Sequence, residues 1–394
     1  MMRRTLSTLL LPALALAPSI APAAKTRIVP PPPYSGAYQP QTVDERGLWG
    51  EVDEMERTLQ DSPAVLRDVA LNAYLRQVLC DTVGADRCAG VRIYVLRVPH
   101  ANANMAPNGS MQIWTGMLLR VRNEAELAAI LAHEFAHFEK RHTLAAFKAH
   151  RTTGDIAMWV GLAGAYAGTA TGSTQLSLYG TLYSYQRDQE RSADIHGFQY
   201  LAGSRYRPGA FSEFWQRMMD EADATAFGRQ QRSTRYDRTA FFATHPTDLE
   251  RAGYLKQLAV RDGDDGDDGV TTFAAAMQKW RPLFLADQLK RNDFGGSEYL
   301  LAQLAGTGWT PDLLFARGEL YRMRGNPRDL VAAADFYRAA IAGGTVDPLA
   351  HRGLGLALMR TGRPAEAKVA LATYLVAQPD CEDAALLRSL IEQP

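Results

Sequence analysis

The chain has 394 residues, of which 46% are apolar, and it carries 43 basic and 43 acidic side chains. A chain of this length and apolar content can bury more than one core, which predicts two or three domains. The balanced charge, without a basic stripe, gives no electrostatic reason to expect nucleic acid as a partner.

The N-terminal residues have the pattern of a secretory signal peptide. Arg3 and Arg4 precede an apolar run at residues 6–17, and a small-residue cleavage site follows at Ala23. We therefore predict a cleaved signal peptide at residues 1–23 and a periplasmic protein, with association to the outer membrane as a further expectation. The alternative is a short membrane anchor, but the run is too short to span a bilayer comfortably.

The segments after the signal peptide suit an exported protein. Residues 24–43 are rich in proline and are predicted as an extended leader. In an oxidising compartment, Cys80 and Cys88 lie close enough in sequence to close a small loop as a disulfide. The spacing of apolar residues predicts helix from Val43 to Gln77.

Two further segments predict a small sheet. Residues 91–96 alternate between apolar and polar side chains as a strand does. Asn108-Gly109 between two extended segments indicates a hairpin. One of these strands could lie at a sheet edge beside a cleft and capture an extended peptide, or both could be ordinary core.

The next segment contains His133-Glu134-Phe135-Ala136-His137 within a predicted helix that Asn123 and Glu126 could cap. Positions four apart lie on the same face of a helix, so both imidazoles can bind one metal ion, with Glu134 beside it. On this motif alone, a helix with two histidines satisfied by other contacts stays an alternative.

A second helical segment places Glu190, Asp194 and Gly197 on one face, where small residues would let it approach the first helix closely. Buried carboxylates must be paired or bound to metal, which makes Glu190 the natural third ligand. Asp194 could accept a hydrogen bond from the free ring nitrogen of a ligand histidine. The alternative is a solvated acidic pair with Arg187 and Arg191.

Two other segments leave alternatives open. Residues 156–170 are apolar and rich in glycine and alanine, which favours a buried helix over a surface that contacts a membrane. His245 precedes a helix that Pro246 could open, so it is either an extra contact to the metal or transition state, or a residue of the capping loop.

The acidic, glycine-rich residues 259–272 are predicted as a linker. Beyond them, residues 273–394 form a helical region with an internal repeat. Pro311, Gly318 and Gly325 recur with the same spacing as Pro348, Gly355 and Gly362. Such a region either binds polypeptide or only supports the preceding domain.

With His133, Glu134, His137, Glu190 and Asp194 in this order, the chain resembles the M48 family of zinc metallopeptidases. The specific resemblance is to exported bacterial members with C-terminal tetratricopeptide repeats, and it covers residues 44–258 for the peptidase part. It implies a mainly α fold, in which an α+β gluzincin-type peptidase domain with a small sheet precedes a short TPR-like α-helical repeat domain.

The resemblance also implies the chemistry. One Zn²⁺ would be held by His133, His137 and Glu190, and Glu134 would assist the attack of zinc-bound water on the peptide bond. Glu134, Asp194 and His245 are the expected catalytic residues.

We therefore predict a periplasmic zinc endopeptidase that cleaves exposed or misfolded envelope polypeptides. The expected partners are polypeptide substrates, outer-membrane proteins or their assembly machinery, and a peripheral membrane contact, but not nucleic acid. The alternative is a chaperone-like envelope assembly factor that binds client polypeptide through the repeats, with rare or gated cleavage.

Overall fold

The computed structural model of the chain describes residues 31–152, 187–233, 248–306, 308–344 and 347–392. The predicted signal peptide, residues 156–170 and His245 lie outside the described residues.

The first helix, α1 (Val43–Asp61), begins with a capping box in which Thr42 and Glu45 exchange side-chain and backbone hydrogen bonds. The segment predicted as helical from Val43 to Gln77 forms two helices, because the chain breaks between α1 and α2 (Val69–Val83). The cause is Pro63, which cannot continue a helix and favours the extended conformation of Ser62.

The proline-rich leader is extended but not free. Residues 31–41 have no regular secondary structure. Arg87 donates a hydrogen bond to the carbonyl oxygen of Pro32, and Tyr34 packs against Phe135 with their ring centroids 6.3 Å apart. The described end of the leader therefore lies on the protein surface.

The predicted disulfide is present between Cys80 at the end of α2 and Cys88 at the end of α3 (Ala85–Cys88). It closes the short turn around Gly84, whose φ of +99° favours glycine.

A small mixed sheet follows, with the strand order β1-β3-β2. Its members are β1 (Arg92–Leu96), β2 (Ala103–Met105) and β3 (Ser110–Trp114). β1 runs parallel to β3, whereas β2 and β3 form the predicted antiparallel hairpin, with Asn104 opposite Gln112. Gly109 in the turn has a φ of +91°, which explains the Asn-Gly signal.

The hairpin leads through a short helix, α4 (Thr115–Arg120), into α5 (Glu124–Glu139). Asn123 caps α5 by accepting a hydrogen bond from the backbone N–H of Glu126, while Glu126 itself accepts from the N–H of Arg122. Nearly every residue of α5 is buried, so this helix is the centre of the core.

Three helices pack against α5. They are α6 (His142–Thr152), α7 (Arg187–Ala202) and α8 (Ala210–Gly228). The next helix, α9 (Asp248–Asp262), packs against α7 and α8. Phe211 and Phe214 of α8 and Leu255 of α9 are fully buried in the same core as α5.

The acidic segment that follows α9 is not a free tether. The carbonyl oxygen of Asp268 accepts a hydrogen bond from the N–H of Ala125, and Arg207 forms ion pairs with Asp264 and Asp268. These contacts hold the segment against the start of α5, because its carboxylates meet arginine instead of water. The domain boundary at residues 259–272 stays a prediction.

The remaining described chain is helical. Its helices are α10 (Val270–Gln278), α11 (Arg281–Leu289), α12 (Phe294–Ala305), α13 (Pro311–Arg324), α14 (Pro327–Ala342), α15 (Leu349–Arg360), α16 (Pro364–Ala377) and α17 (Ala384–Glu392). One hydrophobic core extends from Leu71 in α2 to Leu320 in α13.

The predicted fold class, mainly α with a small sheet, is confirmed. Over the described ranges, the structure has no helix that combines the length and apolar character needed to cross a membrane.

Candidate metal centre

The two histidines of the predicted motif lie one turn apart on α5, both buried, with their Nε2 atoms 3.1 Å apart. Glu190 on α7 faces them. Its Oε2 lies 3.5 Å from His133 Nε2, and its Oε1 lies 3.5 Å from His137 Nε2. The three side chains thus present two imidazole nitrogens and a carboxylate at one point.

Glycine at position 197 lets α7 approach α5 closely enough for this arrangement. A Cβ at Gly197 would lie 3.1 Å from the backbone nitrogen of His133 and 3.2 Å from its Cα. A larger side chain would separate the two helices and move Glu190 away from the histidines. The predicted close approach of the two helices is confirmed.

The donor set fits a zinc ion. In a tetrahedral site with bonds of about 2.0–2.1 Å, donor atoms lie about 3.3–3.4 Å apart. The observed separations of 3.1 and 3.5 Å bracket that value. Two imidazoles and one carboxylate are also a typical donor set of catalytic zinc sites, which keep a fourth position for water or substrate.

Asp194, one turn after Glu190, connects the site to α9. Its Oδ1 lies 2.9 Å from His133 Nδ1, which fixes the ring so that Nε2 faces Glu190. Arg251 of α9 donates to both oxygens of Asp194 at 2.7 Å, and Tyr254 also donates to this carboxylate. Asp194 therefore has partners from α5 and α9.

Arg251 is a buried cation beside the site, at 2% exposed. Its Nη1 lies 3.3 Å from Glu190 Oε2, so one guanidinium group contacts both buried carboxylates of α7. The guanidinium also stacks on Trp215 of α8, with its Cζ 3.9 Å from the ring centroid.

The pKa shifts reflect this charge arrangement. Burial raises the pKa of Asp194, but Arg251 and the hydrogen bond from His133 outweigh it and lower the pKa to about 2. Burial lowers the pKa of His133, but Asp194 and Glu190 outweigh it and raise the pKa to about 9. The carboxylates that hold this proton would equally favour a divalent cation.

His142, at the start of α6, contacts the other histidine. Its Nδ1 lies 2.9 Å from His137 Nδ1, which directs His137 Nε2 toward Glu190. Burial, and then the charge of His133, lower the pKa of His142 to about 4, so this ring is neutral at pH 7.

Sequence reasoning missed Arg251, Tyr254 and His142. Arg251 had a detectable signal, because it occupies the same stripe of α9 as the buried residues Leu255 and Ala259. An arginine in an apolar stripe needs a buried carboxylate partner. His142 had no such signal, since its position five residues after His137 does not place it on the same helical face.

Glu134 lies between the two histidines on α5 and is 3% exposed. The structure therefore brings His133, Glu134, His137, Glu190 and Asp194 into one buried region. Their roles as ligands and catalytic groups stay predictions, as does that of His245, which lies outside the described residues.

Comparison with known proteins places this site in a family. Residues 68–259 match the family model of peptidase family M48. This part of the chain belongs to peptidase family M48. The predicted family is thereby confirmed, and members of this family are metallopeptidases.

Three named proteins illustrate what this chain is similar to. The putative beta-barrel assembly-enhancing protease of Vibrio cholerae is 28% identical over 191 residues, which cover 46% of this chain and 39% of that protein. The mitochondrial metalloendopeptidase OMA1 of Schizosaccharomyces pombe is 30% identical over 165 residues, or 42% of this chain and 45% of that protein. The beta-barrel assembly-enhancing protease of Escherichia coli is 25% identical over 181 residues, or 43% and 37%. The matches span less than half of each relative.

Proposed function

We propose that this M48 protein is a zinc-dependent endopeptidase of the bacterial periplasm that cleaves exposed or misfolded envelope polypeptides. The observation that carries the proposal is the buried triad of His133, His137 and Glu190, whose donor atoms have the separations of a tetrahedral zinc site.

The chain's own residues supply the remaining chemistry. When bound, zinc would provide Lewis-acid activation of water and of the peptide carbonyl. Glu134 acts as general base, accepting a proton from the attacking water and passing it to the leaving amine. Asp194 holds the tautomer of His133, and His245 is an additional contact to the reacting group or a gate that keeps the enzyme latent.

The hairpin beside α5 supports an extended peptide as substrate. β2 is an edge strand of the described sheet, and an edge strand is where an extended polypeptide can add by backbone hydrogen bonds, although the three residues of β2 are buried in this structure. In β2 the side-chain amide of Asn104 is 1% exposed and has no hydrogen-bond partner among the described residues. A buried amide without a partner is a feature that functional sites often have, and it is the reason that we propose a role for this strand in substrate binding.

The location and substrate class rest on two other observations. The N-terminal sequence has the pattern of a cleaved signal peptide. Two of the similar proteins are named for enhancing beta-barrel assembly. The first observation supports a periplasmic location. The second supports outer-membrane proteins or their assembly machinery as the substrates or partners of this enzyme.

The test is a Glu134→Gln variant of the purified exported protein. We expect proteolysis of an unfolded substrate such as casein to fall at least about a hundredfold, because the general base is lost while the ligands stay. Metal analysis should still find one zinc per chain. Glu51→Gln, the same change at an exposed position of α1, is the matched control and should cleave normally. Undiminished cleavage by the Glu134→Gln variant would refute the proposal.

A chaperone-like assembly factor is the second candidate. The observation in its favour is the set of exposed apolar side chains on the last helices, including Val369 at 69%, Val376 at 85% and Leu386 at 62% exposed. If the Glu134→Gln variant restores outer-membrane assembly in a deletion strain as well as the wild type does, binding of clients is the principal activity. Loss of that rescue on deleting α14 to α17 would locate the binding in these helices.

A further inference from the structure

A cavity of about 340 Å³ lies between α4, the C-terminal half of α8 and the turn that precedes α12. The side chains that line it carry an excess of positive charge. Its charged lining consists of Arg120, Arg229, Arg232, Arg291, Glu221 and Asp293. The proposed zinc ligands are not part of the lining, so the cavity is separate from the metal centre.

Both carboxylates of the lining are already engaged. Glu221 forms a buried ion pair with Arg120, with Arg120 Nε 2.8 Å from Glu221 Oε2. Asp293 caps α12 by accepting from the N–H of Gly296 at 3.1 Å, and its other oxygen accepts from the hydroxyl of Thr225 at 2.9 Å. Their charges offset only part of the charge of the four arginines, and neither carboxylate forms an ion pair with Arg229, Arg232 or Arg291 among the described residues.

Arg229, Arg232 and Arg291 form no ion pair within the part of the chain that the structure describes. Arg291 is half-buried and donates through Nη1 to the carbonyl of Pro99 at 3.4 Å and to Gln288 at 3.2 Å. These bonds hold the guanidinium in place, while its Nε and Nη2 donors have no described partner. Arg229 and Arg232 are exposed at the mouth.

The positive field at this cavity also affects nearby titratable groups. Burial, and then the charge of Arg120, lower the pKa of Arg291. Burial, and then the charge of Arg291, lower the pKa of His100, which lies at the mouth. Positive charges that destabilise one another in this way are stabilised when an anion binds between them.

We propose that this cavity binds a phosphate group. Guanidinium groups present forked donors that match the oxygens of phosphate, and each such bond is charge-assisted. Four arginines against two carboxylates leave two uncompensated positive charges, which match a phosphate dianion better than a single carboxylate. The volume lies near the lower end of small-molecule sites, about 300–1,000 Å³. This inference does not depend on the proposed peptidase activity.

The test is calorimetric titration of the zinc-loaded full-length protein with inorganic phosphate at constant ionic strength. We expect one saturable site, weakened at least about tenfold by Arg291→Gln, which removes charge-assisted bonds from the cavity wall. The Arg229→Gln/Arg232→Gln double variant should weaken binding by a smaller factor, because these side chains are exposed. Arg328→Gln, the same charge change at an exposed position of α14, is the matched control.

Several outcomes would overturn the proposal. If phosphate binds at the metal centre instead of this cavity, the Arg291→Gln variant and the wild type will have the same affinity for phosphate. Equal affinity for acetate and phosphate would contradict the assignment of a phosphate group. If Arg291→Gln unfolds, Arg291→Lys keeps the charge but loses the forked donor, so it should fold and bind phosphate more weakly than the wild type.

Two further arms identify the source of the phosphate. Competition by glycerol 3-phosphate, without sedimentation on vesicles of phosphatidylcholine and phosphatidic acid, indicates a free phosphate monoester. Sedimentation on these vesicles that Arg291→Gln abolishes indicates a lipid headgroup. Both results support the phosphate site, whereas vesicle binding that Arg291→Gln leaves unchanged contradicts a headgroup in this cavity.

Discussion

Asp194 is the residue on which the supporting contacts of the proposed zinc site converge. It accepts from the ring of His133, from the guanidinium of Arg251 and from the hydroxyl of Tyr254. These three donors come from two helices, and all of them point at a carboxylate with no solvent exposure. An acceptor in this position controls both the orientation and the basicity of the metal-facing nitrogen.

We therefore expect Asp194→Asn to weaken zinc binding. The change removes a negative charge beside the site and replaces an acceptor by an amide that can present a donor to His133. Losses of this kind reduce metal affinity by about 10–100-fold. The measurement is a zinc competition titration with a chromophoric chelator.

The matched control for this prediction is Asp188→Asn on the same helix, where the side chain is exposed. It makes the same chemical change and should leave zinc affinity unaltered. If Asp194→Asn binds zinc as tightly as Asp188→Asn does, the hydrogen bond to His133 does not support the metal.

The candidate ligands could be predicted from sequence because helical spacing places the ligands of each helix on one face of that helix. His133 and His137 are one turn apart, and Glu190 lies on a face that would be a poor core without a metal or charged partner. The partner of Arg251 could not be predicted, because its pairing with Asp194 depends on how α9 packs across α7. Contacts between residues so far apart in sequence follow from tertiary packing, which periodicity does not encode.

At the scale of elements, the site depends on the distance between α5 and α7. Gly197 faces the backbone of Ala132 and His133, where buried neighbours leave little room for movement. The ligands from these two helices must meet within a few tenths of an ångström to share one ion. Packing between the helices is therefore part of the metal site.

Gly197→Ala should destabilise the fold and weaken zinc binding together. A Cβ at 3.1 Å from the His133 backbone forces the helices apart, and overpacking of this kind costs about 1–3 kcal/mol in the free energy of unfolding. Urea unfolding and zinc titration measure the two effects.

Gly253→Ala on α9 provides the contrast, because a Cβ there would meet no heavy atom within 4 Å. Alanine is the better helix former, so this variant should gain about 0.5–1 kcal/mol and keep its zinc affinity. If the two variants change the free energy of unfolding equally, close packing at Gly197 does not contribute to stability.

The repeated glycines of the C-terminal region also have a physical explanation. A Cβ at Gly318 would lie 2.8 Å from Tyr337, and one at Gly355 would lie 2.6 Å from Leu371. The first glycine of each repeat therefore permits close contact with the following helix. The second glycines, Gly325 and Gly362, have φ of +73° and +74°, and Gly325 is the C-cap of α13. The sequence pattern located these positions but did not reveal which side chains they contact.

At the scale of the whole molecule, the residues before and after the acidic segment share one core. Leu255 of α9, Phe284 of α11 and Leu313 of α13 belong to the same buried cluster as the helix with the two histidines. Arg97 after β1 also forms an ion pair with Asp287 of α11, with a nitrogen–oxygen distance of 2.6 Å. Composition suggested a linker here because glycine and aspartate mark flexible segments, but arginines of the folded part bind those carboxylates.

A protein truncated after residue 262 should therefore fail to fold, although the family match ends at residue 259. The truncation removes the carbonyl of Asp268 that caps the start of α5, and it uncovers the part of the core that α10–α13 bury. Burying a large apolar side chain contributes about 1.5–3 kcal/mol, so losing several exceeds a typical stability of about 5–15 kcal/mol. Residues 24–326, which keep α13, should instead unfold cooperatively in urea and retain zinc. Cooperative unfolding of residues 24–262 at the same urea concentration as the full chain would show that the shared core is dispensable.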